Sequence, residues 1–348
     1  MSVLLQNPPF SQRDDGALLR EMSELTDWHL QGCPEYRAMW PDYQAANSLA
    51  ELPFVHVGVF KHAVLQTRGE GINHQRLLKS SSTSGVSSQI PLDTRSGELQ
   101  ARASVAVLED LVGTDKRPLL VTDSSKSLLQ RGEVSARVTA AMSLRPLSTE
   151  MHFLMASADN PASLDWALVE SLCTKSPSLL VYGFTWILWK GWVDAVIPDS
   201  TKEALSKTQI HFVHSGGWKK LEALKVDRQT FDARLLGLVA KGSGVVDFYG
   251  LVEQVGMIYP LCDAGFRHMP RWGAVLARDP WTLEPKAPGE EGMLQLMNPL
   301  AFGAPYHSVL TEDMGCVVEG DCPCGRSGQR FQLLGRMPKA EVRGCANV

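Results

Sequence analysis

Three groups of residues could carry chemistry. The first is Lys79-Ser-Ser-Ser-Thr-Ser-Gly85-Val-Ser-Ser88, in which seven of ten residues bear a hydroxyl. Such a run offers backbone N–H groups and hydroxyl donors to a phosphate, although a polar linker has the same composition. It is not a Walker loop, because Gly-x4-Gly-Lys-Ser/Thr does not occur. The second group pairs Cys262-x5-His268 with Cys322-Pro-Cys324-Gly325. Three sulfurs and an imidazole suit tetrahedral Zn²⁺, and reduced buried cysteines are the competing reading. Cys316 is a substitute ligand should His268 not serve. The third is Cys345, a thiol three residues from the end of the sequence. A thiolate is a strong nucleophile, and Arg343 beside it would favour that form. The tail Cys-Ala-Asn-Val also has the length of a prenylation box, but Asn347 is not aliphatic at the third place.

These groups must be held by a globular body. The chain has 348 residues, 44% of them hydrophobic and 21% charged, which is enough to bury a core without covalent staples. Lys and Arg number 34 against 38 Asp and Glu, for a net charge of -4 and a pI near 6.2. This balance argues against nucleic acid or an anionic membrane as partner. Seven cysteines, no apparent signal peptide and no membrane-length apolar run favour a reduced, cytoplasmic protein. The spacing predicts helices over Ser96 to Val112, Ser163 to Lys175 and Gln229 to Lys241, with a further helix over Leu251 to Ile258. Strand-like runs are Pro118 to Thr122, Met151 to Met155, Ser178 to Gly183, Ile210 to Val213 and Val245 to Tyr249. This alternation predicts an α/β fold with a largely parallel sheet. Beyond a boundary near Pro260 come β-like runs at Gly273 to Ala277, Gly292 to Asn298, Ser308 to Thr311, Cys316 to Val318 and Phe331 to Leu334. Pro280 to Glu291 reads as a loop. Trp186, Trp189 and Trp192 suit either an apolar lining or core packing.

Three further segments accompany the hydroxyl-rich run: His214-Ser-Gly-Gly-Trp218, Asp247-Phe-Tyr-Gly-Leu-Val-Glu253, and Thr311-Glu-Asp313 with Gly335-Arg336. In this order they resemble the core motifs of the adenylate-forming enzymes, whose loop usually reads Ser-Gly-Thr-Thr-Gly. The sequence departs from that pattern at Ser82 for Gly, Val252 for Thr and Glu312 for Gly. Tyr182-Gly-Phe-Thr185, Tyr249-Gly-Leu-Val-Glu-Gln254, Arg278-Asp-Pro280, His307-Ser-Val-Leu-Thr-Glu-Asp313 and Arg343-Gly-Cys345 are similar to the LuxE-type acyl-protein synthetases, with phenylacetate-CoA ligases as more distant relatives.

The resemblance implies the large-domain fold of adenylate-forming enzymes, mixed and parallel sheets with packed helices plus a β-rich subdomain. The similarity extends from about Lys79 to the last residue, and with the pattern along the chain it gives an N-terminal helical and loop region (1–78), a nucleotide-binding core (79–260), a β-rich subdomain with the zinc site (261–334) and a short tail (335–348). It also implies activation of a carboxylic acid, a fatty acid in this family, by ATP. Ser81, Ser82, Thr83, Ser84 and Gly85 would cradle phosphate, and Glu253 would hold Mg²⁺. Tyr249 and Gly250 would face adenine, Gly216 and Gly217 would let backbone approach its edge, and Asp313 and Arg336 would fix the ribose. Core packing for Tyr249, a helix-start role for Glu253 and plain surface charge for Asp313 and Arg336 are the alternatives. Adenylate-forming enzymes usually continue past Gly-Arg into a small domain carrying a lysine. Here 12 residues follow Arg336, so Lys339 or a residue elsewhere would take that part. Cys345 would accept the acyl group and pass it to a reductase or carrier protein. A CoA ligase or carrier-protein loader, and a binding module without turnover, are the other readings.

Overall fold

The structure, a computed structural model, describes residues 3–80, 87–128, 133–158, 160–218 and 223–337. Its centre is a six-stranded sheet with the order Tyr259–Pro260, Gly244–Tyr249, Gln209–Ser215, Ser178–Phe184, Arg117–Val121, Ser148–Phe153. All neighbours are parallel except the short Tyr259–Pro260 strand. Successive strand residues point to opposite faces. Leu119, Val121, Leu180, Tyr182 and Val213 therefore enter one core, while Leu120, Leu179, Val181, Ile210 and Phe212 enter another. Both faces are dry, as a parallel sheet with helical crossovers requires, and this is why the strands read as unbroken apolar runs.

Helix Thr94–Val112 covers the first face. Asp93 caps it by accepting from the Ser96 N–H at 2.9 Å, and Gly113 ends it at φ +81°. Buried Gln100, Ala103, Ser104, Val107 and Leu108 recur at helical spacing along one side. Helices Trp166–Lys175, Asp199–Ser206 and Arg228–Leu236 lie on the other face. Trp189 and Trp192 belong to that second core, with Trp192 fully buried edge-on to Trp166 and Phe212.

A second sheet is built from the β-like runs of the last third. Its order is Arg267–His268, Arg330–Arg336, Ser308–Val318, Gly292–Met297, Ala274–Arg278, all antiparallel, and Val55–His56 adds to Ser308–Val318 in parallel. A third, small sheet joins Gln89–Asp93, His74–Lys79 and Glu133–Ser135. The N-terminal helix Asp15–Gly32 buries Leu18, Met22, Leu25, Thr26 and His29 against this body. Its buried His29 bonds Thr67 Oγ1 at 2.6 Å and the Ala301 carbonyl at 2.9 Å, fixing the helix to segments far away in sequence.

Two local expectations need correction. Residues Leu251 to Ile258 do not form a helix beyond the single 3₁₀ turn Val252–Gln254. Gly256 sits at φ +82°, which ends any right-handed helix, and a Cβ there would lie 2.6 Å from Gln100 Cα. The runs Ser308 to Thr311 and Cys316 to Val318 form one strand, Ser308–Val318, with a register shift between Met314 and Gly315. Thr311, Glu312, Asp313 and Gly315 interrupt its apolar pattern, so the single strand reads as two runs.

Candidate functional site

Parallel strands put their C-terminal ends on one edge of the sheet, where open α/β sheets bind ligands. Three candidate segments leave the sheet at that edge. Ser178–Phe184 runs into Thr185, Gln209–Ser215 into Gly216-Gly217, and Gly244–Tyr249 into Gly250 and Glu253. Gly216 takes φ +77°, and a Cβ on Gly217 would meet nothing within 4 Å, so the backbone there faces open space. Thr185 fastens this bend through its hydroxyl, 2.9 Å from the Gly216 carbonyl and 2.9 Å from His214 Nδ1. Burial lowers His214 to about 4, so the ring is neutral near pH 7.

Tyr249 and Asp313 come from different sheets and meet. The Tyr249 hydroxyl donates to Asp313 Oδ2 at 2.6 Å, and Arg336 Nε lies 3.5 Å from Asp313 Oδ1. Burial, and then the Asp313 carboxylate, push the Tyr249 phenol well above its ordinary range, so it stays a donor. Its ring packs beside Tyr259 and edge-on to Phe331. Asp247 and Arg267 join the sheets again in a two-pronged pair at 3.0 and 3.1 Å.

Glu253 is buried, with the Ser88 side chain beside it. Burial raises its carboxyl above the usual carboxylate range, while Ser88 and the Lys61 charge pull it down. A buried carboxylate with so little compensation suits a hard divalent cation such as Mg²⁺. Its turn is set by Gln254. That fully buried amide donates to the Leu296 and Tyr306 carbonyls at 3.2 and 3.0 Å and accepts from Tyr259 and Asn298 at 3.1 and 2.8 Å. Ser80 N–H donates to the Ser88 carbonyl at 3.1 Å, and Ser88 N–H to Ser80 Oγ at 2.9 Å. The base of the hydroxyl-rich loop is thus closed beside Glu253. Ser81, Ser82, Thr83, Ser84 and Gly85 themselves lie outside the described residues, as do Lys339 and Cys345.

Cys262, His268, Cys322 and Cys324 converge elsewhere, with their ligand atoms all within 4.8 Å of one another. Zinc–sulfur bonds of about 2.3 Å at tetrahedral angles put two sulfurs about 3.8 Å apart. Cys262 and Cys322 sulfurs are 3.7 Å apart, and Cys324 sulfur is 3.3 Å from His268 Nε2. The set fits zinc. Cys316 lies apart from it, its sulfur 3.5 Å from Gln332 Oε1.

Sequence reasoning singled out neither Thr185 nor Ser88, Gln254 or Lys61 as site residues. Thr185, Ser88 and Gln254 stand inside segments that it did quote. Lys61 stands in a stretch without a motif, and long-range packing, including the Val55–His56 pairing, sets it 3.8 Å from Glu312.

Among the described residues no helix is long and apolar enough to cross a membrane. A long-chain-fatty-acid–luciferin-component ligase of Aliivibrio fischeri is 29% identical over 140 residues, 40% of this chain and 36% of that protein. The protein of the same name from Vibrio harveyi is 28% identical over 142 residues, 39% of this chain and 36% of that protein. The matched stretch thus spans about a third of either relative's length. A crystal structure of 2-hydroxyisobutyryl-CoA ligase in the postadenylation state, in complex with R3-HIB-AMP, matches 93% of this chain and 68% of its own at a TM-score of 0.65 and 15% identity. That likeness gives the fold: the large-domain architecture of an adenylate-forming ligase. With the acyl-protein synthetase family, LuxE, matching residues 10–348, the chain belongs to that family.

Proposed function

We propose that this protein is a ligase that activates a carboxylic acid, a long-chain fatty acid by the names of its relatives, as an acyl adenylate and then captures the acyl group on Cys345. In the first step a carboxylate oxygen attacks the α-phosphorus of ATP, and the bond to the β-phosphate oxygen breaks to release pyrophosphate. In the second, the Cys345 thiolate attacks the acyl carbon and AMP leaves, giving a thioester. The acyl group then passes to a partner protein with a reductase or carrier role.

Two anions must meet in the first step, so positioning and charge neutralisation carry the catalysis. Asp313 accepts from the ribose hydroxyls, with its second oxygen fixed by Tyr249. Arg336 supports it from the exposed side. Tyr249 and Gly250 line the adenine, and Gly216 and Gly217 approach its edge over the bend that Thr185 ties down. Glu253 would hold Mg²⁺, which neutralises phosphate charge, and Ser81, Ser82, Thr83, Ser84 and Gly85 cradle the departing pyrophosphate. Cys262, His268, Cys322 and Cys324 would hold a structural Zn²⁺ joining the loop after the central sheet to the β-rich sheet.

The observation that carries this reading is the convergence of Tyr249, Asp313, Arg336 and buried Glu253 at the C-terminal edge of the sheet. Chain reach supports Cys345. Met337 N–H donates to the Glu312 carbonyl at 2.8 Å, beside Asp313. The chain from Met337 to Cys345 spans at most about 27 Å when extended, enough to bring the thiol back over the site. ATP–pyrophosphate exchange with a panel of acids tests the first step. Exchange that depends on a long-chain acid is expected, and no exchange with any acid would leave a binding module without turnover.

A further inference from the structure

We propose that Lys61 is a cation of the nucleotide site that binds the polyphosphate of ATP, held by Glu312 until the nucleotide arrives. This rests on the nucleotide reading of the site given above. Lys61 lies on the short helix Val59–His62, which follows the Val55–His56 strand. That strand pairs in parallel with Val309 and Leu310, and Val57 N–H donates to the Leu310 carbonyl at 2.8 Å. The pairing sets Lys61 over the next residues of the same strand, Glu312 and Asp313. Its ammonium is 3.8 Å from Glu312 Oε1, too long for a tight hydrogen-bonded pair and with about a third of the side chain exposed. The same helix packs against the Gln89–Asp93 strand, which begins next to Ser88. Lys61 therefore lies on a helix that packs against the strand beginning next to Ser88 and reaches Glu312, the neighbour of Asp313. Its charge is also felt by buried Glu253.

The charges explain why a cation belongs here. Glu253, Glu312 and Asp313 bring three carboxylates to one corner, and ATP adds further negative charge. Arg336 is 76% exposed and lies on the ribose side of Asp313, where it screens little of the polyphosphate. A lysine ammonium is a compact point charge on a flexible stem, able to swing from a loose carboxylate partner to a phosphate oxygen. The Glu312 carboxylate, 3.8 Å away, is the partner that Lys61 would release.

Isothermal titration of the full-length protein with Mg-ATP and, separately, with adenosine tests the assignment. Lys61→Met should weaken Mg-ATP binding by about tenfold, the scale of one hydrogen bond to a charged group, and leave adenosine binding unchanged. Lys61→Arg, which keeps the charge, should recover part of the loss, and adenosine binding by either variant reports that the site is folded. Equal Mg-ATP affinity in wild type and Lys61→Met would overturn the assignment. So would a parallel loss of ATP and adenosine binding, the mark of a structural role. If the wild-type protein binds neither ligand, the nucleotide reading itself has failed and the Lys61 assignment falls with it.

Discussion

Replacing Tyr249 by Phe removes one oxygen from the centre of the site. The lost bond is 2.6 Å long, runs from a phenol to a carboxylate, and joins two sheets at a largely dry position. A hydrogen bond to a charged group contributes about 1.5–3 kcal/mol, and among the described residues the Asp313 carboxylate would be left with Arg336. Arg336 is 76% exposed, and exposed ion pairs contribute about 0–1 kcal/mol, so it cannot make up the difference. The ligand-free Tyr249→Phe protein should therefore be less stable by about 1–3 kcal/mol, whereas Arg336→Ala should cost under about 1 kcal/mol. Both variants should weaken adenosine binding, because both partners hold the carboxylate that would meet the ribose. The assay is urea denaturation of each variant followed by titration with adenosine. Equal stability losses in the two variants, or unchanged nucleotide affinity in Tyr249→Phe, would refute this reasoning.

Three other perturbations have defined outcomes. His29 and His307 are fully buried, with ring centroids 4.6 Å apart, and burial lowers His29 from 6.5 to about 3 and His307 well below its ordinary range. Both groups bind protons more readily when unfolded, so the stability they allow is complete above 6.5 and is lost as pH falls toward the folded values; near pH 5 His29 should cost about 2 kcal/mol, with His307 acting in the same direction. Urea midpoints across that range check this, and a His29→Gln variant that loses stability as steeply as wild type would contradict it. The Cys262, His268, Cys322, Cys324 set should hold zinc in purified protein, measured by plasma mass spectrometry, and Cys322→Ser should lose the metal and melt earlier. Gly256→Ala should destabilise by about 2–5 kcal/mol, since the new Cβ meets Gln100 backbone and φ is positive, and urea denaturation would show it.

Much of this molecule was legible because its strands are buried on both faces. Such strands read as plain apolar runs, so Ser178–Phe184 and Gln209–Ser215 stand out without any partner in view. Helix Thr94–Val112 is legible for the opposite reason, since one buried side recurs at helical spacing. The site was legible as an ordered set of short segments. What joins them was not. Pairing Val55–His56 with a strand some 250 residues later leaves no local mark, so Lys61 could not be placed. The Gln254 network draws on Leu296, Asn298 and Tyr306, all distant in sequence. The region after Tyr249 looked helical because its apolar spacing matches a helix, but the close approach of Gln100 to Gly256 overrides that spacing. Strand Ser308–Val318 looked like two because polar Glu312 and Asp313, followed by a register shift at Gly315, break its apolar run.

Intact-protein mass spectrometry after incubation with Mg-ATP and a long-chain acid tests whether Cys345 captures the acyl group. The expected result is a mass gain of one acyl group, released by hydroxylamine, mapped to Cys345 and absent from Cys345→Ala. An unmodified chain that forms acyl adenylate and acylates added CoA would contradict it.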